Sequence, residues 1–182
     1  MIGLRKAGIV ATALVGIGAG LTLTGVVAGN MSPGSASPQQ ATPTQVNIEV
    51  NGDSAPAFQR ASALTGFDVR QPKYLPPGNQ VSGISFLSDV NTHAFRVVHI
   101  GVRGTDGGFM LSETNTGFTA PTNAVALTQP DAKLQVWMEK GPDATVYTAL
   151  SADHRGYTIT ILPGSSLAEA DVLRILDATA AP

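Results

Sequence analysis

The chain has no cysteine, and only 13% of its 182 residues are charged. Without cysteine there is no disulfide framework, no thiolate zinc site, no thiol nucleophile and no lipid-modified cysteine anchor. An average soluble domain carries roughly 25% charge, so this one is sparse. Eleven basic residues against 13 acidic ones leave no basic surplus for a nucleic-acid backbone. The shortage is also uneven. After Arg5 and Lys6 the next charged residue is Glu49.

That charge-free run begins with the longest apolar stretch in the chain. Residues 7–29 follow a short basic head, and a helix of that length spans about 35 Å, against about 30 Å for a bilayer core. Basic residues stay on the cytoplasmic side, so everything after the stretch is expected outside the membrane. Two outcomes fit: a signal peptide cleaved after Ala28, at the small-residue site Val26-Val27-Ala28, or an uncleaved transmembrane anchor. Cleavage removes Arg5 and Lys6 and leaves 9 basic residues against 13 acidic ones. Gly16-x-x-x-Gly20 and Gly25-x-x-x-Gly29 match a helix-pairing pattern, although glycine is simply common there.

Residues 30–53 read as a linker. Met31 to Gln45 holds prolines among small uncharged polar residues and cannot bury enough apolar surface to offset ordering entropy. Val46, Ile48 and Val50 then alternate with polar residues as a strand does, either pairing with the domain edge or remaining in the tether. Residues 54–182 are long enough for one core. Asp53 or Ser54 begins a helix through Ala57, Phe58, Ala61 and Leu64, closed by Gly66. Pro72, Pro76 and Pro77 forbid helix in the next segment.

Strand patterns follow at 81–87, 94–102, 109–113, 133–138, 145–150 and 156–162, separated by turn signals such as Asp106-Gly107 and Gly141-Pro142-Asp143. Residues 117–130 read as a long loop with one short strand. Ser166-x-x-Glu169 forms a capping box before a last helix with Leu167, Ala170, Leu173 (or Val172) and Leu176 on one stripe. The expected fold is α+β: a single antiparallel β-sheet, a helix before it and a C-terminal helix packed on one face.

The segment Phe67-x-Val69-x-x-Pro72-x-Tyr74-Leu75-Pro76-x-Gly78 resembles the opening of a bacterial extracytoplasmic domain family of unknown function. That family occurs in settings similar to the outer domains of anti-sigma factors and to lipoprotein-carrier-like envelope proteins. The likeness extends over about residues 64–180, through Trp137 on a late strand and the closing helix. Asn79 departs from the aromatic residue often found there. Six residues before the apolar stretch leave no room for a cytoplasmic sigma-binding domain, so a signalling role is expected to be that of a separate outer partner. The resemblance implies no catalytic residues.

Catalytic and metal patterns are weak. His93 and His99, six apart on one strand, lie about 20 Å from each other, too far to share a metal. His154 sits beside Asp153 in a turn. Gly101, Gly104, Gly107 and Gly108 lead into a strand, not the helix a phosphate loop requires. Pro163 to Leu167 lacks a nucleophile elbow. Asp106, Asp143 and Asp153 show no paired spacing. No cofactor, metal or nucleic-acid partner is expected.

The binding candidates are Tyr74 and Leu75, on a proline-stiffened lid over the first helix, and Trp137 with Tyr147, on neighbouring strands. The last two are either an aromatic platform for a peptide, glycan or lipid, or a cross-strand pair that only stabilises the sheet. The expected function is a non-enzymatic cell-envelope domain that binds a protein partner or apolar ligand, membrane-tethered through residues 7–29 or secreted, with a regulatory part in envelope signalling. The alternatives are an exported Ser/His hydrolase and a structural spacer. N-terminal sequencing of the exported protein separates the two leader outcomes: a start at Gly29 marks cleavage, and one at Met1 or Ile2 an anchor.

Overall fold

Alternation of apolar and polar residues makes the first element a strand. In the computed structural model of this protein, residues 44–88, 97–105, 107–115, 120–127 and 133–181 are described. The apolar head, most of the linker, His93 and Asp106 lie outside the described residues. Val46 and Ile48 belong to β1 (Thr44–Glu49), which pairs antiparallel with β2 (Gln80–Ser88) and sets Ile48 opposite Ile84. The strand pattern at the end of the linker therefore joins the domain edge, and the folded domain reaches back into the 30–53 stretch.

α1 (Ala55–Thr65) has Ser54 at its cap position and proline in its first turn, and the Oδ1 of Asp53 just before it accepts the Ala55 N–H at 3.0 Å. It ends at Gly66, which takes the left-handed φ of 74° that a residue with a Cβ resists. Its buried face is Ala57, Phe58, Ala61 and Thr65. Leu64, expected in that face, is 46% exposed. Four residues beyond Ala61 the helix returns to the same side, and that position belongs to Thr65. The Thr65 hydroxyl donates to the Ala61 carbonyl at 2.8 Å, so its burial leaves no orphaned group.

The remaining strands are β3 (Val98–Gly104), β4 (Gly107–Thr114), β5 (Val125–Leu127), β6 (Leu134–Lys140), β7 (Thr145–Ser151) and β8 (Gly156–Ile161). They form one eight-stranded sheet in the order β1-β2-β3-β4-β8-β7-β6-β5, antiparallel at every junction. Two four-stranded meanders thus meet where β4 pairs with β8. The glycine-rich segment closes the β3–β4 hairpin with Gly104 opposite Gly107, as a turn and not as a phosphate loop. The stretch expected as a loop with a short strand carries the chain from β4, at the sheet centre, to β5 at its edge.

α2 (Glu169–Ala180) begins two residues later than the sequence pattern implied. Ala168 occupies the cap position and no side chain caps the helix, so the Ser166–Glu169 capping box does not form. Glu169 and Asp171 instead place negative charge in the first turn, where the helix dipole favours it. Its buried stripe is Val172, Ile175, Leu176 and Thr179, which keeps the expected Val172 and Leu176, with Leu167 and Leu173 partly buried beside it and Ala170 exposed.

Both helices contribute to one core with a single parity of the strands, including Phe86, Ile100, Leu111, Val136, Ala149 and Ile159. The opposite face of the sheet receives no helix among the described residues. Ile100 and Leu111 face each other across β3–β4 with no exposure. Leu111→Ala should cost about 2–5 kcal/mol of stability. Leu64→Ala, on the outer side of α1, should change it by less than about 0.5 kcal/mol. Urea unfolding of the two variants checks the contrast.

Candidate functional site

A charged residue on the core face of a central strand needs partners, and Glu113 of β4 is fully buried there. One carboxylate oxygen accepts the backbone N–H of Arg70 at 2.8 Å; the other accepts Nη1 of Arg155 at 2.8 Å. Arg155 also donates to the Asp68 carbonyl, and its Nε lies 3.3 Å from Asp153. Arg70 reaches the Tyr157 hydroxyl at 3.1 Å, the Ala180 carbonyl, and Oδ2 of Asp153 at 2.7 Å. The Ser151 hydroxyl donates to the other Asp153 oxygen. The cluster ties the proline-rich segment, the β4–β8 junction and the end of α2 together.

Burial pushes the Glu113 carboxyl above its ordinary range, although the Arg70 N–H and the Arg155 guanidinium pull the other way. The Ser151 hydroxyl, followed by Arg70 and Arg155, holds Asp153 below the usual carboxylate range. Burial, reinforced by the Glu113 charge, pushes the Tyr157 phenol up to about 12. Two surface recesses flank Arg70. One of about 990 Å³ opens between α1, residues 68–73 and Ala181; the other, about 400 Å³, is bounded by Lys133, Ser151, Asp153 and Asp177. Arg70 lines both, yet its guanidinium is already committed to three partners. No buried side-chain nitrogen or oxygen among the described residues lacks a partner, and none of them cluster as metal ligands. The cluster is built to hold the fold.

Tyr74 and Leu75 do lie on a lid, but the lid bridges both helices. The Val69 N–H donates to Ser62 of α1 at 2.9 Å, and Gln71 Nε2 donates to Ser54 at 3.0 Å. On the other side Lys73 reaches the Ala181 carbonyl, the Tyr74 hydroxyl donates to Asp171 at 2.8 Å, and Arg174 stacks 3.9 Å from the Tyr74 ring centre. The Asp171 acceptor raises the Tyr74 phenol above its ordinary value, with desolvation adding to it. Leu75 packs against the core.

The paired platform of Trp137 and Tyr147 does not form. Across β6–β7, Trp137 stands opposite Thr148, and Tyr147 opposite Met138. Neighbouring positions of a strand point to opposite faces. Tyr147 is therefore on the core face, 5% exposed, with its hydroxyl 3.5 Å from Glu169 of α2. Burial and the Glu169 charge raise its phenol above the ordinary value. Trp137 lies on the helix-free face.

That face has a regular composition. One row crosses all eight strands: Asn47, Ser85, His99, Ser112, Thr158, Thr148, Trp137 and Ala126. It contains no carboxylate, lysine or arginine. His99 is its one titratable side chain, and burial lowers its pKa, which keeps the ring neutral at pH 7. His99 Nδ1 is 2.8 Å from the Ser112 hydroxyl. Such a pair is the beginning of a nucleophile site. Among the described residues no carboxylate reaches the ring, and Ser112 lies mid-strand between β3 and β8, where ladder bonds use the backbone N–H groups an oxyanion would need. His154 occupies the β7–β8 turn in the left-handed region, φ 62°, exposed and remote from this pair.

Sequence reasoning missed Glu113, Arg70 and Arg155 as a unit. The one available signal was the run Phe109, Leu111, Glu113, which places a carboxylate at core parity.

Arg155→Met leaves Glu113 buried without its cation and should cost about 3–5 kcal/mol at pH 7. The loss should shrink in acid, where the orphaned carboxylate takes up a proton. In the parent chain the raised Glu113 pKa contributes stability that is full below its ordinary 4.5 and lost as pH rises through the folded value. Asp153, lowered, contributes stability above 3.8 that is lost as pH falls through its folded value. Urea titrations at several pH values should show Glu113→Gln removing the first dependence and keeping the second.

Compared with protein-family models, curated proteins and solved structures, the chain matches none.

Proposed function

We propose that this chain is a non-enzymatic, extracytoplasmic binding module of the cell envelope. It is held to the membrane by residues 7–29 or released by cleavage after Ala28, and it engages a protein partner or apolar ligand on the helix-free face of its sheet. The observation that carries the reading is the row from Asn47 to Ala126, uncharged across eight strands with a tryptophan in it. A row without fixed charges loses little on desolvation, so a partner laid along it strands no ion there, and Glu49, Arg103 and Glu139 stay at its margins. Tyr74, Leu75 and Tyr147 serve internal packing, which narrows the working surface to Trp137 and the hydroxyl-bearing strands beside it. The resemblance of residues 67–78 to an extracytoplasmic family supports the setting, and with it a regulatory part in envelope signalling.

A second reading, an exported hydrolase, draws on the His99–Ser112 pair. A spacer module would bind nothing. The three separate in one experiment. The purified chain is tested against envelope peptides and phospholipid vesicles for saturable binding, and against ester and amide substrates for turnover. Binding should be present in the parent, weakened at least about tenfold by Thr148→Arg or Thr158→Arg, and unaffected by Ser112→Ala, with stability changed by less than about 1 kcal/mol. Turnover abolished by Ser112→Ala would establish the hydrolase instead. Absence of both binding and turnover would leave the spacer.

A further inference from the structure

The two edges of the sheet are unequal. β5 is three residues long, and shortness is one of the ways natural sheets blunt an edge. β1 is six residues long, Thr-Gln-Val-Asn-Ile-Glu, and has no lysine and no proline. Its register with β2 is unbroken from Thr44 to Glu49, so no bulge turns it away either. No described element pairs with its outer side.

The phase of the ladder says which groups that side presents. The Val50 N–H donates to the Ser82 carbonyl at 3.3 Å, and residues 50 and 82 continue the β1–β2 register. Hydrogen-bonded pairs alternate along an antiparallel ladder. Val46 and Ile48 therefore direct their backbone groups to β2, while Gln45, Asn47 and Glu49 direct theirs outward.

We infer that the outer edge of β1 is a self-association surface that takes β1 of a second copy of this chain, antiparallel, about a two-fold axis. Centring the axis on Asn47 pairs the outward groups of Asn47 with those of its symmetry mate, and Gln45 with Glu49 in both directions. That register gives about six cross-edge hydrogen bonds. It also sets Val46 against Ile48 twice, on the side that carries the helices, so the two cores adjoin. Glu49 meets Gln45 and not a second carboxylate. The chain preceding β1 carries no charge back to Lys6, so two copies approach there without repulsion. Pairing of β1 with β5 would be heterologous, would offer only three residues, and would not close.

The full chain in mild detergent is followed by sedimentation velocity over a range of concentrations, with hydrogen exchange resolved at single amides. A concentration-dependent dimer is expected. The Asn47 amide should gain protection as the dimer forms, whereas the Ile48 amide is protected throughout. Asn47→Lys and Asn47→Asp place like charges opposite each other and should each weaken the dimer about tenfold or more, and an equimolar mixture of the two should restore it. Asn47→Pro removes an outward donor and should give the monomer. A monomer at every concentration overturns the inference. So does a dimer that ignores the Asn47 substitutions, which would place the contact in the apolar head. A strand of another protein on this edge, with the chain itself monomeric, overturns it as well. Thr148→Arg should leave the dimer intact, which keeps this result separate from the binding reading of the open face.

Discussion

Everything in this domain depends on the junction of β4 with β8. It joins two meanders that otherwise have separate strands and turns, and it places Glu113 and Tyr157 opposite each other on the core face. A carboxylate in that position costs several kcal/mol unless its charge is matched. The match comes from Arg155, at the entry to β8, and from the backbone of Arg70, in the proline-stiffened segment. The same arginine then holds the end of α2 through Ala180. One buried charge thus recruits the segment that has no regular structure of its own and fixes both helices to the same side.

Placing both helices on one face determines what remains on the other. The core parity is filled largely by apolar residues, and the middle row of the opposite parity by serine, threonine and asparagine with one histidine and one tryptophan, while Glu49, Arg103 and Glu139 lie toward the ends of their strands on that face. That row stays compatible with water, because its hydroxyls hydrogen-bond to solvent, yet it carries no fixed charge of its own.

The strands were legible because alternation and turn residues are local signals. Gly104 and Gly107 identify the β3–β4 hairpin, and Gly141-Pro142-Asp143 the next turn but two. The pairing of β1 was not legible, since the Val46–Ile48 pattern reads the same in a tether and at a sheet edge; free hydrogen-bonding groups on β2 decide it. The faces of Trp137 and Tyr147 were not legible together. Their place on neighbouring strands allowed one platform or one cross-strand pair, whereas the β6–β7 register sets Trp137 opposite Thr148 and turns Tyr147 to the core face. Glu113 was visible only as a misplaced charge, because its partners lie 43 and 42 residues away in the chain. α2 starts at Glu169, so that residue takes the first helical position and not the third, which the capping box would have given it.

The sheet order has a consequence for how this chain reaches its folded form. β2, β3 and β4 meet through short connections, as do β6, β7 and β8, so each meander closes small loops. The junction between them brings Leu111 to Ile159, and the entropy of closing that loop has to be met before any of its contacts form. In the unfolded chain Glu113 is in water, and the β4–β8 pairing is what takes it out. The cost of burying that carboxylate therefore falls on the same long-range pairing that brings Arg155 and the Arg70 N–H to meet it.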